Sequence, residues 1–174
     1  MEYGGLTAVP LGLAVAWSCL SAKKAAPAQR ALRAALAWSI VLFATGGVMG
    51  FLIAGVNVVI PARYHGSIVG VTLAFMGLTY LLLPRLGFRP LAARLAHIQP
   101  YVYGGGQLLH ILGLAQSGGY RVQRKTPGAT GLENFPEIAG MALMGLGGLI
   151  AIIGGLLFLV VAIGAMWPRR GSRR

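Results

Sequence analysis

The sequence predicts an all-α membrane protein, a bundle of about five transmembrane helices with no soluble domain large enough to fold alone. Three observations predict it. Hydrophobic residues make up 56% of the 174-residue chain and charged residues only 10%, with a mean hydropathy of +0.73. A soluble domain carries roughly 25% charge, so most of this surface is expected to face lipid. The 27 glycines fit the same solvent, because in membrane helices a missing side chain lets neighbouring backbones approach closely. Finally, long apolar runs alternate with short basic segments, leaving no room for a second domain.

A membrane helix needs about 20 mostly apolar residues, and five stretches meet or approach that length: about 5–21, 34–57, 65–84, 97–116 and 136–167. The first follows Met1-Glu2-Tyr3, which lacks the basic region of a signal peptide, so this span is expected to be retained. The fourth is the weakest, interrupted by His97, Gln99, Gln107 and His110. The fifth exceeds one crossing, so its first turns are expected in or above the headgroup region. Trp17, Trp38 and Trp167 lie near span ends, where amphipathic rings favour the interface.

The net charge of +12 is not the footprint of a nucleic-acid binder, in which Lys and Arg gather on one face of a folded domain. Here it falls between spans and sets topology. Lys23, Lys24, Arg30 and Arg33 follow the first span, Arg85, Arg89 and Arg94 follow the third, and Arg169, Arg170, Arg173 and Arg174 form the tail. The other side keeps only Arg63, Arg121, Arg124 and Lys125, a bias of eleven against four. The positive-inside rule then predicts N-outside, C-inside, in the inner (cytoplasmic) membrane of a prokaryote. The four outer cations run against that rule; they are candidates for meeting an anion or for snorkelling to lipid phosphates.

Polar groups within the spans are few. An imidazole at membrane depth is costly and faces the bundle interior, where it pairs, relays protons, binds a metal or bridges helices. His65, opening the third span, and His110, in the outer half of the fourth, are the candidates; His97, at the inner end of the fourth, reads as interfacial. Glu133 and Glu137 lie near the outer mouth of the fifth span, beside Arg. Gly104-Gly105-Gly106 has no strand before it, which excludes a dinucleotide fingerprint and points to a close helix crossing. Gly140, Gly145, Gly147, Gly148, Gly154 and Gly155 read as a packing stripe. Paired carboxylates, a Ser/His/Asp set and a phosphate-cradling loop are all missing, and lone Cys19 carries no redox inference.

The run from Ile60 through Arg63-Tyr64-His65-Gly66 to Leu83-Pro84 resembles the tenth helix of the catalytic subunit of haem–copper oxidases, which opens with His-x-His and ends in an apolar run and Pro. Gly106-Gln107-Leu108-Leu109-His110-Ile111-Leu112-Gly113-Leu114 is similar to the eleventh helix, with its Gln-His-x-Leu-Gly-Leu pattern, and Gly46-Gly47-Val48-Met49-Gly50 to the Gly-rich ninth. The resemblance covers about residues 35–128 well and the outer spans loosely, so that the five spans resemble helices eight to twelve. In that family the even-numbered helices of this set run from outside to inside, the sense the charges predict here.

The resemblance implies that His65 is a candidate low-spin haem ligand, with Arg121, Arg124 and Lys125 as candidate contacts to haem propionates and His110 as a neighbour of the ligand. It also implies a limit. Where the family has its first histidine, which holds the oxygen-reducing haem, this chain has Arg63; a guanidinium is always protonated and offers no lone pair to iron. The helices that supply copper ligands in the family have no counterpart among the five spans. The expectation is therefore a subunit of a respiratory terminal oxidase, passing electrons from cytochrome c or quinol to oxygen. It would be either an accessory bundle derived from the rear half of the catalytic subunit or the rear half of a split one. Alone it would be non-catalytic and hold no cofactor, with haem entering only in the assembled complex. Its partners would be other oxidase subunits and the lipid bilayer. The competing reading is an unrelated small membrane anchor, quinone-binding or transport protein; a transporter is the least supported, because no acidic residue lies deep within a span and no inverted repeat is evident.

Overall fold

The computed structural model describes residues 9–21, 26, 29–51, 59–119 and 135–167. These form five helices: α1 Val9–Ser21, α2 Arg30–Phe51, α3 Val59–Arg85, α4 Ala93–Gly119 and α5 Phe135–Met166. No strand occurs among the described residues, and the chain is the all-α membrane bundle that its composition predicts. α2, α3 and α5 are long and apolar enough to cross a membrane. α1, at 13 residues, is shorter. α4 has 27 residues, but its polar residues dilute it, as the sequence indicates.

Local chemistry sets the helix ends. α5 opens on Phe135-Pro136-Glu137; proline suits the first turn, where its missing N–H has no partner to lose, and the carboxylate meets the positive end of the helix dipole. α3 ends in a Schellman turn. Gly87 takes φ +86°, Phe88 N–H donates to Leu83 O at 3.1 Å and Gly87 N–H to Pro84 O at 3.2 Å, satisfying carbonyls that the helix end would orphan. Two residues on, Arg89 N–H donates to Ala165 O at 3.1 Å, tying the α3–α4 loop to the last turn of α5.

Two antiparallel pairs make up the bundle, α2 with α3 and α4 with α5, and α4 also packs on α2 and α3. Both pairs are close backbone crossings. A Cβ built on Gly46 would stand 2.6 Å from Ser67 N, and one on Gly66 would stand 2.5 Å from Gly46 Cα. Along α4 and α5 the seam repeats every seven residues. Gly140, Gly147 and Gly154 of α5 face Ser117, His110 and Tyr103 of α4, while Gly106 and Gly113 of α4 face Gly147 and Gly140 in return. Gly145 and Gly155 meet nothing within 4 Å, so the stripe expected from six glycines is narrower than their number implies. Ala35, Leu42, Ala62, Val69, Leu73, Ile111 and Leu114 form the central core. The outward residues of α5, such as Leu149, Ile152 and Leu156, are exposed, as a lipid-facing stripe requires.

Trp38 has a packing role that the sequence does not show. It lies eight residues inside α2, packs against the central core, covers Gly104 and meets Tyr101 edge-on at 6.3 Å. The indole fills the groove that Gly104 opens.

Candidate functional site

His65 stands one turn and a half into α3, and His110 lies two-thirds along the antiparallel α4. Their rings meet, with centroids 4.7 Å apart and planes tilted by 42°. Each ring is anchored at Nδ1. His65 Nδ1 lies 3.1 Å from Pro61 O in its own helix, and His110 Nδ1 lies 2.9 Å from Met144 O in α5. A carbonyl only accepts, so each Nδ1 carries the proton and each Nε2 is left with the lone pair. The α4–α5 seam brings His110 there: Gly147 gives its backbone room, and a Cβ on Gly148 would sit 3.4 Å from its Nδ1. Both rings are half-buried.

Arg63 precedes His65 by two residues, which turns it about 200° around the helix. It therefore serves a different face. A Cβ on Gly50 would stand 3.1 Å from Arg63 Nε, so the guanidinium stem lies along the C-terminal end of α2 while His65 faces α4. Where the resemblance would put a first haem-binding histidine, an exposed arginine lies against α2 at Gly50.

His65 offers one open, oriented imidazole nitrogen, which is what an axial haem ligand needs. The described residues supply no opposite ligand. Two imidazoles across one iron have centroids about 6.4 Å apart for metal–nitrogen bonds of about 2.0–2.1 Å, and His110 stands at 4.7 Å, beside His65 instead of across from it. Arg121, Arg124 and Lys125, the candidate propionate contacts, lie outside the described residues, as does Glu133. Glu137 is buried in the first turn of α5, and its carbonyl accepts from Ser117 Oγ at 3.5 Å.

At the other end of the bundle, Gln99 joins three helices. Its Oε1 accepts from Tyr80 OH at 3.1 Å, and its Nε2 donates to Gly154 O at 3.2 Å and approaches Met76 Sδ at 3.4 Å. Gln99 is fully buried. The sequence marks it only as an interruption; its isolation within an apolar run is the signal that it faces inward. His97 is half-buried and lies edge-on to Tyr101 at 5.4 Å. Its Nδ1 is the one buried side-chain nitrogen or oxygen among the described residues without a hydrogen-bond partner.

No family model matches the chain, and no solved structure matches it. It is similar to an uncharacterised protein of Rickettsia prowazekii (strain Madrid E), 39% identical over 153 residues, a match that takes 82% of this chain and 30% of that protein. The chain thus spans less than a third of the length of this relative.

Proposed function

We propose that this chain is a membrane subunit of a haem–copper respiratory terminal oxidase, built like the rear half of the catalytic subunit and non-catalytic by itself. The observation that carries the reading is the division of labour on α3. Arg63 turns to α2 and His65 to α4 at the same end of the helix, as two haem ligands of a His-x-His motif would. The arginine cannot ligate iron, which supports an accessory role over an oxygen-reducing one. The complex carries electrons from cytochrome c or quinol to oxygen in the inner membrane of a prokaryote, with haem supplying the redox chemistry where it is bound. This chain's own residues supply one oriented imidazole, that of His65, and a packed scaffold.

A second reading has its own support. The Rickettsia relative is more than three times as long as the matched segment, and its remainder has room for the ligands missing here. In that case the chain is the rear part of a split catalytic subunit, and His65 holds a low-spin haem with a partner chain.

One experiment separates the readings. The tagged full chain is purified from its own membranes with its partners, and the reduced-minus-oxidised spectrum is recorded for the native complex and for His65→Ala. The accessory reading expects oxidase subunits to co-purify and the spectrum to stay unchanged. The split-subunit reading expects the low-spin haem band to vanish. Absence of every haem–copper oxidase component from the preparation sinks both.

A further inference from the structure

We infer that His65 and His110 together form a two-nitrogen site for a late first-row divalent metal ion, with copper the most tightly bound of the series. The inference goes beyond the oxidase reading and rests on the geometry of the pair alone. Because Pro61 O and Met144 O each accept from an Nδ1, the two neutral rings present two acceptor nitrogens and no donor. They cannot hydrogen-bond to one another in that state. Two rings in contact at 4.7 Å, each with a lone pair on Nε2, suit a shared cation.

The spacing fits such an ion in one geometry. With a metal–nitrogen bond of about 2.0–2.1 Å, two imidazoles at about 90–110° on one metal have centroids about 4.5–5.2 Å apart, against about 6.4 Å for opposite ligands. The observed 4.7 Å lies in the first range. A carbonyl on the far ring nitrogen is the usual outer partner of a metal-bound histidine, since it fixes tautomer and orientation and raises ligand basicity. Here both histidines have one. Neutral imidazoles suit Cu, Zn and Ni, and copper binds tightest in that order. Among the described residues no group of three His, Cys, Asp or Glu surrounds the pair. Among the described residues the site thus has two such ligands, and further positions would be taken by water, a small ligand or a partner chain. His65 Nε2 cannot hold this ion and a haem iron at once, so the site belongs to the chain when no haem sits on His65.

The test uses the purified full chain in detergent, titrated with Cu(II) and, separately, Zn(II). Pulsed electron paramagnetic resonance of the copper form reads the number of imidazoles through their remote nitrogens. One equivalent of Cu(II) with a two-imidazole signal is expected. His65→Ala and His110→Ala should each weaken binding by at least about tenfold and leave a one-imidazole signal, while His97→Ala changes nothing. Circular dichroism confirms that each variant is helical, with His65→Gln and His110→Gln as replacements where alanine fails to fold. Several outcomes overturn the site: no stoichiometric binding by the folded chain, affinity indifferent to either His65 or His110, or an equal loss in His97→Ala.

Discussion

At Gly46 the missing side chain lets α2 reach α3, and its neighbour makes the control. A Cβ on Gly46 would meet the backbone of α3 at 2.6 Å, whereas one on Gly47 meets nothing within 4 Å. Gly46→Leu is expected to destabilise the bundle by about 1–3 kcal/mol, the usual cost of overpacking. Gly47→Leu should stay within about 0.5 kcal/mol of the native chain. Thermal unfolding in detergent measures both, and equal midpoints would contradict the crossing. The sequence presents the two glycines alike, because which one faces α3 depends on the rotation of α2. His65 and His110 follow the same logic. Each stands out alone as an imidazole at membrane depth, but their contact depends on the register of α3 against α4, which no local pattern records. The outward turn of Arg63, by contrast, follows from the helix period as soon as α3 is recognised.

At the scale of the element, α4 is the helix that polar residues make look weakest and that the bundle buries best. Its interruptions fall on the inward side: Gln99 holds α3 through Tyr80 and α5 through the Gly154 carbonyl. Gln99→Leu removes both bonds and leaves the Tyr80 hydroxyl unpaired within the bundle. A loss of about 1–2 kcal/mol is expected, with Tyr80→Phe costing about 0.6 kcal/mol, the mean for a hydrogen bond between membrane helices. Unfolding midpoints of the two variants decide the matter: a Gln99→Leu chain as stable as the native one would remove the hub from the account. Hydropathy alone cannot separate a polar residue turned to lipid from one turned inward. Trp38 shows the same limit from the apolar side, since an indole suits an interface and a helix groove equally.

For the whole molecule, the sequence makes the class and the helix number legible, because both follow from composition and run length. Helix ends lie within four residues of those expected except at α3, which begins six residues earlier; the expected first residues of α1 and last residues of α2 lie outside the described residues. The orientation rests on charge, and it carries its own test. In a Cys19→Ala background, Tyr64→Cys lies at the opposite end of α3 from Arg89→Cys, and both positions are exposed. With the N-terminus outside, a membrane-impermeant maleimide applied to intact cells labels position 64 and spares position 89; the reverse pattern would invert the bundle. Last, the α4–α5 seam poses a problem that its closeness conceals. Glycines seven residues apart on both helices make a ruler whose marks are identical. Sliding one helix by a heptad, about 10.5 Å at 1.5 Å per residue, lays glycine on glycine again. Van der Waals contact therefore cannot tell the correct alignment from a slipped one. Two polar bonds break this translational degeneracy, Gln99 to Gly154 near one end and His110 to Met144 toward the other. They act as index marks, so the few polar groups in this helix pair select one alignment among the several that its smooth surfaces would accept.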